Sequence, residues 1–559
     1  MHYFAGCRLI GGLLVSGPCL HSILSVVGLA KVEGLATEGS LVSRRTRGIV
    51  DRFGCGRAAL WLLLGSAALP AVDAPRITAE VVPAPATAGT ALAPNLTVGP
   101  DGTGWLTWLE KREDVTRLQF SEFDANKKAW APPRTIASGQ DWYAGASDFP
   151  PFTVGENGRA TALWYVTNPS SRETAHLHHG AGYHAVFSRT GDGGQTWSAP
   201  KPLARNSDMT EFAALATLAD GRVLAVWLDA RAKKAPGAPR PPQQLYSRIL
   251  GAEGPDTLVD AKVCDCCQTS LTAFPDGSAL LAYRGRSDEE VRDIRVARFR
   301  DGAWQDARTL SNDDWRIAGC PVNGPQIASD GGRVAAAWFT AADNDPRVQV
   351  SISPDAGGRF LMPIRVDESK PAGRVSTILL HDSAILVTWV DAAGALRLRR
   401  TTPDFVASQS LALTTAADGK VKGFPRAALW RDYMGGTSSA RIFVAYTAET
   451  APELRTLLID VPEGALFAAE QNCDCGPTPE ELAGFSIRGT IDAALAVTGK
   501  VRVKHFEVPG IFAEGPREFR VDAKTLAVSQ PGRQFLARIE KRNGEWWLLD
   551  PRFVAPMTR

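Results

Sequence analysis

The densest reactive chemistry in the chain is sulfur. Cys264, Cys266 and Cys267 fall within four residues, in Lys-Val-Cys-Asp-Cys-Cys-Gln-Thr, and Cys320 follows in Gly-Cys-Pro-Val-Asn-Gly. Clustered thiolates can hold a soft metal, copper or zinc. They can equally close one or two disulfides, the favoured reading in an oxidising compartment, or form a redox-active pair whose thiol is acidified by nearby arginines. Cys473 and Cys475 form a second tight pair, suited to a metal or to outside partners, because a bond inside Cys-x-Cys is strained. His176, His178, His179 and His184 are four of the eight histidines and lie within nine residues. A loop folding back would bring two of them onto one metal ion, although a plain surface loop is favoured.

The elements that must position these groups follow from a repeat. Two short apolar strands joined by a Gly-containing turn, the second ending in Trp or Tyr, recur seven times. The closing aromatics are Trp108, Trp164, Trp227, Tyr283, Trp338, Trp389 and Tyr446, separated by 56, 63, 56, 55, 51 and 57 residues. Further strands after each hairpin make four per repeat, which is one blade of a β-propeller. Repeats of this length are too short to hold cores as separate sandwich domains. The expectation is an all-β propeller of six or seven blades, seven favoured, over 75–465, with Arg76 to Val82 completing the last sheet. Counting back fifteen residues from the closing aromatics reaches Phe149, Phe212, Gln268, Asn323 and Arg374. The residues just before them, with Arg426, should ring one end of the channel: Asp148, Asp208, Glu211, Asp265 and the four clustered cysteines. By this register Cys320 aligns with Asp265 one blade on, so it should lie beside the Cys264–Cys267 loop.

Composition excludes some partners. With 62 basic and 60 acidic residues among 559, nothing suggests nucleic-acid binding. Hydrophobic residues at 44% supply ordinary cores, and 52 Gly with 15 Trp suit a turn-rich, many-stranded chain. Arg52 and Arg57, the apolar run Ala58 to Leu69 and the small residues Ala71 to Ala74 have the order of a signal peptide over 51–74. That apolar run is too short for a membrane helix. Periplasmic or secreted location is therefore expected. Residues 1–50 hold a second apolar stretch, Leu9 to Ala30. It reads either as a weak membrane segment or, as favoured, as residues upstream of a true start near Val50.

Two segments carry a resemblance. Thr190-Gly-Asp192-Gly-Gly194-Gln-Thr196-Trp197 matches the Ser/Thr-x-Asp-x-Gly-x-Thr-Trp signature of sialidase-like propellers with Asp-box (BNR) repeats. Ser353-Pro-Asp355-Ala-Gly357-Gly-Arg359-Phe360 is a looser copy, with Arg in the Thr position. The resemblance implies a structural hairpin turn in which the Asp caps backbone amides, the Gly is left-handed and the aromatic packs below. Catalytic sialidases also carry an arginine triad, a Tyr–Glu nucleophile pair and an Asp acid/base. Here Arg76-Ile77-Thr78 lacks the Pro of the family's Arg-Ile-Pro, and no Tyr–Glu pair stands out. Over roughly 260–400 the chain is similar to bacterial exported sialidase-like proteins with a CDCC segment, here Cys264–Cys267. They share the segments Tyr283-Arg284-Gly-Arg286 through Arg292-Asp293-Ile294 and Cys320–Pro325. If the chain hydrolyses a sugar, Arg284, Arg286, Asp208 and Glu211 are the candidate catalytic residues.

After a linker over 466–483 come five short strand-like segments, reading as a small OB-type barrel over 484–559. Its RGTID, VKHFEVPGIF, FRVDAKTLAVSQPG and WWLLDPRF segments resemble the periplasmic copper-chaperone barrel, which binds Cu(I) through a His and two Met. His505 holds the His position, while the Met positions near Glu514 to Arg517 hold none. The favoured function is a non-hydrolytic exported propeller handling copper or thiols at its funnel cysteines. The rivals are an exo-acting glycosidase of sialidase type, with a carbohydrate ligand, and a scaffold for a periplasmic protein.

Overall fold

The structure, a computed structural model, describes residues 8–10, 13–15, 76–167, 182–232, 241–462, 485–505 and 512–553, less 208, 369, 403–406, 409, 432–438, 452, 513–514 and 543. The chain divides into Met1–Ala71 and Val72–Arg559. In the first unit a short hairpin pairs Arg8–Ile10 with Leu13–Val15. The signal-like run over 58–69 lies outside the described residues, as do the linker cysteines Cys473 and Cys475. No helix among the described residues is long and apolar enough to cross a membrane.

In the second unit, alternating apolar and polar residues form antiparallel strands because such strands bury one row of side chains at a time. Seven sheets of four or five strands succeed one another. Their first strands are Thr90–Val98, Phe152–Val154, Thr210–Thr217, Ser270–Ala273, Gln326–Ser329, Pro371–Leu379 and Val421–Arg431. These strands touch in sequence, and the seventh touches the first, so they line one central channel. We number the sheets as blades 1 to 7. The last is closed by the N-terminal strand Thr78–Val82, which pairs antiparallel with Leu454–Pro462.

Each closing aromatic sits on the second strand of its blade and is almost wholly buried, from Trp108 at 0% exposure to Trp389 and Tyr446 at 2%. Large rings fill the wedge between radiating sheets. Two of the indoles are also tethered: Trp227 Nε1 donates to Asp229 Oδ2 at 2.8 Å and Trp338 Nε1 to Asp313 Oδ2 at 2.8 Å.

The two signature turns share one hydrogen-bond pattern. Thr196 N donates to Asp192 Oδ1 at 3.0 Å and Gly194 N to Thr190 Oγ1 at 3.0 Å. Arg359 N reaches Asp355 Oδ1 at 2.8 Å and Gly357 N reaches Ser353 Oγ at 2.8 Å. Gly194 has φ +76°, and a Cβ there would stand 2.6 Å from the Phe120 ring. Trp197 packs against Phe120 and Phe152, and Phe360 against the core between blades 4 and 5. Each turn links the third strand of its sheet to the fourth, outermost one.

The C-terminal strands Phe485–Leu495, Lys500–His505, Gly515–Arg520, Gln534–Arg542 and Glu545–Phe553 form a closed barrel. Its third and fifth strands pair in parallel, and the helix Ala523–Val528 joins the third to the fourth. Its core gathers Ile487, Val501, Val503, Phe519, Phe535 and Ile539.

Candidate functional site: a dithiol beside a disulfide

The cysteine loop hangs from the edge of blade 4. Val263 N donates to Gln243 O at 3.0 Å and Cys264 N to Arg284 O at 3.1 Å, so the loop is fixed at its root. The facing loop of blade 5 comes close because Gly324 has no side chain. A Cβ there would collide with the backbone of Gln268, to whose Oε1 the Gly324 amide donates at 2.9 Å. This approach carries Cys320 to Cys266, and the two form a disulfide with Cα atoms 6.2 Å apart. The register between blades placed Cys320 beside this loop, and its sulfur bonds there.

Cys264 and Cys267 remain as thiols, both buried, with their Sγ atoms 3.5 Å apart. The sulfurs of Cys264, Cys266 and Cys267 all lie within 4.8 Å of one another. Arg292 Nη1 donates to Cys264 Sγ at 3.2 Å. The hydrogen bond from Cys267, followed by the charges of Arg284 and Arg292, holds the Cys264 thiol down to about 6 against its burial. Burial and the neighbouring Cys264 push the Cys267 thiol up. The pair is therefore a thiolate and a thiol at neutral pH, the arrangement that makes one sulfur nucleophilic and leaves the other to resolve the product.

Arg292 is held from behind. Its Nη2 donates to Glu290 Oε2 at 2.6 Å, and Glu290 accepts from Arg286 Nη2 at 2.8 Å. These arginines, Arg286 first, hold the Glu290 carboxyl down to about 2. Arg286 Nη1 continues to Asp265 Oδ2 at 3.0 Å, Asp265 accepts from Gln243 N at 3.1 Å, and Gln243 Nε2 reaches Glu211 Oε2 at 2.8 Å. One polar chain thus runs from Glu211 in blade 3 to the Cys264 sulfur in blade 4.

Arg284 is buried at 2% exposure and donates to the carbonyls of Asn323, Arg292 and Phe339, with its guanidinium 4.9 Å from the Trp315 ring centre. It ties blades 4 and 5 together. Arg284, named above as a catalytic candidate, thus spends its donors within the protein, whereas the candidate Arg286 pairs with Glu290 and Asp265 yet stays partly exposed and lines a cavity of about 410 Å³. Asp208 and the histidines His176, His178 and His179 lie outside the described residues. His184 is on the strand Tyr183–Thr190, paired with Val166. His505 is buried in the barrel with its ring centre 5.5 Å from that of Phe512 and 6.2 Å from that of Phe519.

No protein-family profile matches the chain, and no curated protein does. Solved structures similar to it include a protein of unknown function from Dyadobacter fermentans, 12% identical, with 69% of this chain and 100% of that one covered and a TM-score of 0.42. The NanB sialidase from Streptococcus pneumoniae is 10% identical, covering 69% and 70% of the two chains at a TM-score of 0.36. The GH93 α-L-arabinofuranosidase of Fusarium graminearum is 12% identical, covering 68% and 96% at a TM-score of 0.39.

A second buried group stands in the neighbouring blades. Asp148 Oδ2 accepts from Tyr183 Oη at 2.9 Å and from Phe212 N at 3.0 Å. Burial pushes this carboxyl up to about 7. The ring of Tyr143 stacks on that of Tyr183 with centres 3.9 Å apart. The sequence placed Asp148 at the channel mouth but gave no sign of its tyrosines, which lie on different strands. Arg292 was visible only as part of a resemblance, since nothing in its spacing from Cys264 marks it as a sulfur partner.

Proposed function

We propose that the chain is a non-hydrolytic, exported propeller protein whose working part is the Cys264–Cys267 dithiol, held beside the Cys266–Cys320 disulfide and exchanging with small disulfides. The observation that carries this reading is the Arg292 guanidinium 3.2 Å from Cys264 Sγ, itself 3.5 Å from Cys267 Sγ. The Cys264 thiolate attacks one sulfur of a small disulfide, forming a mixed disulfide as the other sulfur leaves as a thiolate and takes a proton. Cys267 then gives up its proton and attacks Cys264 Sγ, expelling the second thiol. The chain ends with a Cys264–Cys267 bond and the substrate with two thiols, a balanced two-electron exchange.

The test is stoichiometric. Fully folded protein with Cys7, Cys19, Cys55, Cys473 and Cys475 changed to Ser is mixed with glutathione disulfide. Two glutathione molecules per chain should be released. Cys264→Ser should release none and Cys267→Ser should stop at a protein–glutathione adduct. Release that is unaltered in Cys264→Ser would refute the reading.

A soft monovalent metal such as Cu(I) on the same two sulfurs is the second reading, favoured by the closeness of the buried sulfurs. The guanidinium that favours a thiolate opposes a cation at the same sulfur, which places exchange first. Zinc would need the sulfurs of Cys266 and Cys320 as well, and these are bonded to each other. Sugar hydrolysis of the sialidase type needs donors free to hold a substrate, and the candidate Arg284 is buried with its donors on backbone carbonyls. The barrel's strand order supports an OB-type domain. His505 among phenylalanines, with no methionine near Glu514 to Arg517, argues against the barrel itself holding copper.

A further inference from the structure

Among the described residues, the central channel holds a charge with no counter-charge. Arg426, on the first strand of blade 7, reaches across to Gln326 Oε1 in blade 5 at 2.7 Å and to Asn95 Oδ1 in blade 1 at 3.2 Å. Its guanidinium lies 4.6 Å from the centre of the Phe149 ring in blade 2. Both polar partners are neutral amides, and among the described residues no carboxylate forms an ion pair with Arg426. Desolvation alone lowers its pKa, to about 10, with no opposing carboxylate. Arg374, one blade back, spends its Nη1 on the carbonyls of Val421 and Gly423 and likewise meets no carboxylate among the described residues. Both arginines are half-buried, and a charge drawn partly out of water is costly unless paired.

Arg426 lines a cavity of about 130 Å³ with Asn95, Thr97, Thr269, Ser270 and Gln326, drawn from several blades around the channel. The walls are mostly polar, and the space is far below that of a sugar-sized pocket. Its size and the sign of its one charged wall suit a small monovalent anion.

We propose that this cavity is a binding site for a small monovalent anion, of chloride or formate size, held by the Arg426 guanidinium at the axis of the propeller. The anion supplies the missing counter-charge and joins blades 1, 2, 5 and 7 through one residue. The site is separate from the thiols, so it stands or falls independently of the exchange reading.

The test is thermal unfolding of the full chain at constant ionic strength, with sodium chloride or sodium formate against sodium gluconate, whose anion is too large to enter. The wild type should melt about 3 °C higher in chloride and in formate than in gluconate, saturating with concentration. Arg426→Gln should show no such difference. Equal melting in all three salts, or the same difference in Arg426→Gln, would overturn the proposal. Should the variant not fold, bromide-soaked crystals of the wild type decide. An anomalous peak within hydrogen-bonding distance of the guanidinium is expected, and its absence is equally fatal.

Discussion

Cys264 is held down by Cys267, Arg284 and Arg292, and Arg292 can be removed without touching either sulfur. Arg292→Met should raise the pH at which Cys264 becomes alkylated from about 6 toward the ordinary thiol value of about 8.5. Peptide-resolved alkylation rates read this directly, and Arg292→Lys should restore part of the shift. Asp148 works in the opposite sense. Its folded pKa, about 7, lies above the unfolded value of about 3.9, so the folded state binds more protons between these limits. The stability it contributes is complete below about pH 4 and is lost as pH rises through 7, up to about 4 kcal/mol. Urea unfolding of wild type and Asp148→Asn at pH 4 and pH 7.5 should show that extra pH dependence in the wild type alone. At this scale the sequence was a partial guide. Cysteines announce themselves by type, whereas Arg292 and Tyr183 act through distances that only folding creates.

The elements were far more legible. The hairpin repeat located every closing aromatic, because a wedge between sheets needs a large ring at one position per blade. It also set the inter-blade register well enough to bring Cys320 to the cysteine loop. Phe212 and Arg374 lie on their strands at positions with φ of +48° and +56°, where register shifts leave the ladder irregular. Such bulges were not readable, since neither residue type favours a positive φ. The disulfide between blades 4 and 5 closes a loop with a sequence separation of 54 residues. Cys320→Ser should therefore cost about 4 kcal/mol in urea unfolding by the chain-entropy estimate. Gly194→Ala should cost about 1–3 kcal/mol, because the left-handed backbone and the Phe120 ring both oppose a Cβ. A wild-type midpoint in that variant would remove the turn from the list of structural devices.

The whole molecule closes through its N-terminal strand. Thr78–Val82 is the outer strand of blade 7, and Thr456 Oγ1 donates to Val82 O at 2.6 Å, while Trp130 Nε1 of blade 1 donates to that same Oγ1. Deleting residues 75–83 should lower the melting temperature and expose blade 7 to proteolysis ahead of the others, as limited digestion would show. The ring also explains the location of the chemistry. Loops that precede first strands converge at one mouth of the channel, so a buried thiolate, its guanidinium and a disulfide come together from two adjacent repeats. The sequence showed the repeats and hence the convergence. It could not show which of four sulfurs bond, because that depends on how closely Gly324 allows two loops to approach.

The most direct test follows alkylation of each cysteine in the native full chain from pH 4 to pH 10 by peptide mapping. Cys264 should be modified with a midpoint near pH 6, Cys267 only at much higher pH, and Cys266 should be recovered linked to Cys320. A Cys264 midpoint above about 8.5, or alkylation of Cys266 and Cys320 as free thiols, would contradict the dithiol-beside-disulfide site.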